Sequence, residues 1–128
     1  MHLIDLVSKD GILVATAAGR VSLNEAISVF TNACDVAAER GFDRILVDCS
    51  LVEGELPSME RYELGRTVAE YCNSQSLIPK VATVGHPPLI DGFAALVAWN
   101  RGIVAETFSD LQKATDWLNG FGAKAVRP

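Results

Sequence analysis

The chain has no surplus of positive charge. It carries 11 Lys and Arg against 16 Asp and Glu over 128 residues, a formal net charge of −5. Nucleic-acid binding normally needs a basic face, so no nucleic-acid partner is expected, and an anionic membrane surface would repel the chain for the same reason. Long hydrophobic runs are also missing. The longest, around Leu89–Trp99, is interrupted by Asp91 and is too short to cross a bilayer, so no membrane insertion is expected. The start, Met1-His2-Leu3-Ile4-Asp5, has neither a basic flank nor a cleavage site, and no signal peptide is expected. Cysteine is scarce. Cys34, Cys49 and Cys72 show no Cys-x-x-Cys spacing and His2 has no evident partner, so no disulfide framework, metal site or cofactor follows. A reducing cytoplasm is the simplest home for such a chain.

What is present is an ordinary globular balance, 49% apolar and 21% charged residues, in a length that suits one domain with a real core. Residues 2–8 and 11–18 are apolar runs joined by Lys9-Asp10-Gly11, a hairpin signal. Ser22 with Glu25 three residues on makes a capping box, and Leu23, Ile27, Phe30, Cys34 and Ala37 recur at helical spacing until Gly41 ends the helix. Strand three is Arg44–Asp48, apolar on both faces as a buried parallel strand should be. A second helix runs from about Pro57/Ser58 to Cys72, with Leu64, Val68 and Tyr71 as its core stripe. Gly65 within it points to a close packing contact. Strand four covers 79–85, a helix apolar nearly all round covers 89–100, and strand five is Ile103–Phe108. Ser109 with Gln112 suggests a second capping box before a last helix over 110–119. The order ββαβαβαβα describes a single α/β domain over residues 1–128: a sandwich on a mixed, mostly parallel five-stranded sheet with four helices. The tail from 120 to 128 is expected to be loose.

The hairpin Asp10–Val14, the entry Gly41–Asp48 to strand three and the terminal Phe108–Leu118 together resemble the STAS-like family of small bacterial proteins. That family includes anti-sigma-factor antagonists and is related in fold to CRAL-TRIO lipid-binding domains. The likeness spans roughly residues 3 to 118 and implies fold more than activity. In anti-sigma-factor antagonists a serine at the start of the helix after strand three is phosphorylated and switches partner binding. Here that position falls on Pro57, with Ser58 next to it, and Glu53 and Glu55 nearby would repel a phosphate. The resemblance therefore implies a domain without the usual switch.

Open α/β sheets gather ligands and partners at the carboxyl ends of their strands. Asp48, Cys49, Ser50 and His86 all belong to that edge. Cysteine, histidine and aspartate are the ingredients of a nucleophilic triad, yet alternation sends Asp48 and Cys49 to opposite faces of the strand. The plainer reading takes Cys49 as a small core residue and Asp48 as a loop cap, and no enzyme is expected. Along 89–100, Phe93 and Trp99 could serve a dimer interface or a greasy pocket, or simply pack while Ala94, Ala95 and Ala98 face outward. Tyr62 is expected on an exposed face, and Arg20, Glu53, Glu55, Glu60, Arg61 and Glu63 on a solvated one. These observations lead to a non-enzymatic cytoplasmic interaction module that binds a protein partner or itself, as a homodimer. Its candidate residues are Asp48, Ser50, Ser58, Tyr62, His86, Phe93 and Trp99. The alternative is a small apolar, lipid-like ligand held between the 89–100 helix and the second helix.

Overall fold

In the computed structural model, which describes residues 1–120, Asp10 and Gly11 both take positive φ, 53° and 79°, and turn the chain. They join β1 (His2–Lys9) to β2 (Ile12–Arg20), which pair antiparallel from Lys9↔Ile12 to His2↔Ala18. Ser22 caps α1 (Leu23–Arg40) by accepting the Glu25 N–H, while the Glu25 carboxylate takes the Ser22 hydroxyl and the N-terminal ammonium, the latter at 3.0 Å. Then follow β3 (Arg44–Glu53), α2 (Ser58–Ser74), β4 (Lys80–Val84), α3 (Phe93–Trp99), β5 (Val104–Phe108) and α4 (Leu111–Leu118). The sheet runs β1-β2-β3-β4-β5, and every pair after the first is parallel.

Alternation along the central strands builds two cores. Leu13, Ala15, Ile45, Val47, Cys49 and Val81 face α1, α2 and α3, while Ile12, Leu46, Ala82 and Val84 face α4. The α1 stripe that meets this core is Ala26, Val29, Ala33, Cys34 and Ala37. The larger Leu23, Ile27 and Phe30 are only half-buried, so the buried stripe is rotated from the one expected. In α2 the fully buried positions are Gly65, Val68, Ala69 and Cys72, and Leu64 and Tyr71 flank them.

Three further expectations are corrected. Strand three does not end at Asp48. Its pairing with β4 stops at Asp48↔Val84, but β2 still offers a partner edge, and pairing resumes at Ala18↔Leu51 and continues to Arg20↔Glu53 across an irregularity. The third helix is shorter than 89–100, because Asp91 bends out of it and accepts the Phe93 N–H at 3.0 Å, and Gly92 takes a positive φ. Its seven residues are all apolar, as expected; Val97 and Ala98 are buried and Phe93 is exposed. The cap of α4 is Asp110, which accepts the Lys113 N–H at 3.0 Å, and Gln112 reaches Asp116 instead of closing a box with Ser109. The expected loose tail lies, beyond Gly120, outside the described residues. Among the described residues no helix is long and apolar enough to cross a membrane.

Gly65 marks the closest approach of α2 and α3. A Cβ placed on it would run into the Ala94 carbonyl oxygen and lie 2.9 Å from Val97 Cβ. Alanine normally favours a helix over glycine by about 1 kcal/mol. Here the clash is with backbone, which cannot rotate away, so Gly65→Ala is expected to destabilise the protein by about 1–3 kcal/mol. Urea unfolding with an unchanged m-value checks this; a gain in stability would mean that the two helices are not in such contact.

Candidate functional site

Alanines leave room where larger side chains would meet. Ala94, Ala95 and Ala98 on α3, with Ala26 on α1 and Ala105 on β5, line an apolar cavity of about 90 Å³ between the helices and the sheet. Leu64, Gly65 and Val68 of α2 line it as well, together with the loop residues Leu56, Leu89 and Ile90. The sheet floor carries three polar atoms: the Cys49 thiol and the hydroxyls of Thr83 and Thr107. The two threonines are register partners on β4 and β5, so their side chains lie side by side on the same face.

One side chain organises the rim. Arg61, in the first turns of α2, has only 12% of its side chain exposed. Its Nε donates to the Leu56 carbonyl at 2.8 Å and its Nη2 to the Pro88 carbonyl at 2.6 Å. The same guanidinium pairs with Asp91 through Nη1 and with Glu55 at 3.4 Å. It therefore ties the loop after β3 to the loop before α3, directly beside the cavity. The expectation of a solvated Arg61 is corrected, and nothing in the spacing of the sequence signals four acceptors from two distant loops.

Of the residues singled out from the sequence, Cys49 is in the lining, whereas the candidate contact residues Asp48, Ser50, Ser58, Tyr62, His86, Phe93 and Trp99 are not. Asp48 points to the sheet face opposite Cys49, where its carboxylate accepts both the N–H and the hydroxyl of Ser50. Ser58 is the exposed first residue of α2, which Pro57 precedes without a side-chain cap. Tyr62 is half-buried, and its hydroxyl accepts from Arg101 at 2.9 Å, with the guanidinium also 5.2 Å from the ring centroid. The expected open contact face at Tyr62 is thus already engaged. His86 is exposed in the loop after β4, Phe93 is exposed at the start of α3, and Trp99 packs half-buried against the α4 core.

No hydrogen bond among the described residues joins Cys49, His86 and Asp48. Burial, helped by the Asp48 charge, pushes the Cys49 thiol up to about 12. Such a thiol is a poor nucleophile at neutral pH. The other two cysteines meet across α1 and α2, Cys34 Sγ lying 3.3 Å from Cys72 Sγ in the core. Their hydrogen bond and the burial of the pair raise the Cys34 pKa. Sequence separation hid this contact, although both residues sit on inward positions of successive helices. Among the described residues no group of three or more His, Cys, Asp and Glu is placed to hold a metal ion.

No protein-family model matches the chain, and no curated protein matches it by sequence. Among solved structures, the NMR structure of the protein TM1081 superposes with a TM-score of 0.55 over 93% of this chain and 90% of that one. The fold is shared with TM1081. At 12% identity the likeness carries no further than the fold.

Two outcomes follow from the site's electrostatics. With its pKa near 12, about one Cys49 thiol in ten thousand is ionised at pH 8, so iodoacetamide should modify Cys49 only as fast as the fold opens. Because the folded pKa is raised, the stabilisation from keeping this thiol neutral is present below the ordinary thiol range and is lost as pH rises through it toward 12. Alkylation of native Cys49 at the rate of a small free thiol would overturn both statements. Arg61→Gln removes charge-assisted bonds and leaves Asp91 without its partner. It should cost about 1–3 kcal/mol in urea unfolding. It should also raise amide hydrogen exchange in residues 54–57 and 86–92, and unchanged exchange there would show that Arg61 does not hold the loops.

Proposed function

We propose that this protein is a non-enzymatic binding module of STAS-like type that holds a small apolar molecule in the cavity between α2, α3 and the sheet. The observation that carries the reading is the alanine-lined space itself. Ala94, Ala95, Ala98 and Ala105 leave about 90 Å³ of apolar room where a core would ordinarily be filled. Water is a poor occupant of apolar space, whereas a small hydrocarbon surface is a good one. The chemistry of the site fits binding without turnover. Its one thiol is held neutral by burial, and its one guanidinium is already engaged by two carboxylates and two carbonyls. Three buried free cysteines suit a reducing cytoplasm. With Pro57 before the exposed Ser58 at the start of α2, regulation by a phosphoswitch is not part of the reading.

A second reading, protein binding or homodimer formation at the same end of the sheet, is favoured by different residues. Leu51 is 59% exposed, Met59 74% and Phe93 37%, and each belongs to the carboxyl end of β3 or the start of α2 or α3. Large apolar side chains left in water at a sheet's functional edge are what a partner surface would offer.

Native mass spectrometry of gently purified protein is expected to show a small added mass that is lost on denaturation. Toluene titrated into the protein should produce saturable methyl NMR shifts at Val68, Val81, Leu89 and Ala105. Ala95→Leu, which fills the space, should abolish them. A bare mass together with no saturable shift would remove the cavity reading. A concentration-dependent dimer broken by Leu51→Ser or Met59→Ser would then favour the second.

A further inference from the structure

The floor of the cavity contains a hydroxyl without a hydrogen-bond partner among the described residues. Thr83 is buried, with 7% exposure, and lines the cavity from the middle of the sheet. Its backbone belongs to the β3–β4–β5 ladders, but its hydroxyl has no hydrogen-bond partner among the described residues. Buried hydroxyls are nearly always satisfied, and an unsatisfied one in an apolar chamber favours whatever brings it a partner. Thr107 stands beside it in register on β5, doubling the hydroxyl surface at that spot. The rest of the chamber is mostly hydrocarbon; the other polar groups among its lining residues are the neutral Cys49 thiol, the Arg61–Asp91 pair and Met1, whose ammonium is paired with Glu25.

Resting on the cavity reading above, we infer that the ligand is a neutral, mostly apolar molecule with a hydroxyl or carbonyl oxygen at one end, bound with that oxygen at Thr83 and Thr107. Charge balance decides against an anion. Two lining residues carry positive charge, Arg61 and the N-terminal Met1, and both are engaged: the guanidinium by Leu56, Pro88, Asp91 and Glu55, and the ammonium by the Arg20 carbonyl and the Glu25 carboxylate. A carboxylate in the cavity would be desolvated without a counter-charge, which is far costlier than burying a neutral oxygen that hydrogen-bonds. Size limits the class further. At about 10–15 Å³ of such volume per water-sized atom, a cavity of about 90 Å³ holds roughly six to nine non-hydrogen atoms. Phenols, short alcohols and short ketones meet these limits; a long acyl chain does not.

The test compares p-cresol with p-xylene, the same shape with a methyl in place of the hydroxyl, by NMR or calorimetric titration. Thr83→Val keeps the side-chain shape and the strand preference while removing the hydroxyl. It is expected to weaken p-cresol about five- to tenfold and to leave p-xylene within about twofold. Thr83→Ser, which restores a hydroxyl, should recover p-cresol binding. Benzoate, similar in size but charged, should bind at least about tenfold more weakly than p-cresol. If p-xylene binds the wild-type protein and Thr83→Val affects both probes alike, the polar-end inference is overturned while the cavity reading stands. If benzoate binds the more tightly, the neutral class is overturned. If neither p-cresol nor p-xylene binds, the cavity reading falls and the inference with it.

Discussion

The absence of a single methyl group at Gly65 sets the spacing of the whole helical layer over the α1–α3 face. Because that position carries no Cβ, the α2 backbone can rest against the Ala94 carbonyl and the Val97 side chain of α3. That contact fixes how far α3 stands from α2, and hence where Ala95 and Ala98 fall above the floor made by β4 and β5. The glycine is unfavourable for helix formation in isolation. Tertiary packing offsets that cost, as it does for most helices whose stability comes from a buried face.

A tight seam and an unfilled chamber next to it have the same origin, the small side chains of α3. Where α3 meets a glycine, small residues allow backbones to touch. Where the same helix looks at the sheet, alanines are too short to reach Val81, Thr83 and Ala105, and space remains. The rim is organised on another principle, electrostatics at low exposure. Arg61 gathers two carbonyls and two carboxylates from two loops, adding to the packing that Leu56 and Leu89 supply there. Its planar, multidonor head suits that task in a way that a lysine's point charge does not.

Much of the fold was legible because its signals are local. Asp10-Gly11 turned the hairpin, Ser22 capped α1, Gly41 ended it, and Gly65 announced a close approach that the structure contains. What failed depended on partners. The end of β3 looked polar at Asp48-Cys49-Ser50, yet β2 was still there to pair with, and a ladder extends as long as a neighbour offers its edge. The run 89–100 looked like one helix, yet Asp91 preferred to bind the Phe93 N–H and begin the helix late. The chamber was the least legible feature. Its lining comes from six elements and their loops, and an alanine in a sequence does not announce whether its neighbours fill the space beside it. Thr83 illustrates the point: within Lys80–Val84 it reads as an ordinary strand residue, and only the unfilled volume above it makes its hydroxyl unusual.

The Gly65 seam also governs traffic. Two helices in backbone contact cannot part slightly to admit a guest; they separate fully, with loss of core packing, or they stay together. On the cavity reading, an entry route would avoid the seam and pass the loops that Arg61 holds, where polar contacts are added to the packing of Leu56, Leu89 and Ile90. The residence time of an occupant would then be set at the rim, and its choice of occupant at the floor, so that the two can be altered independently.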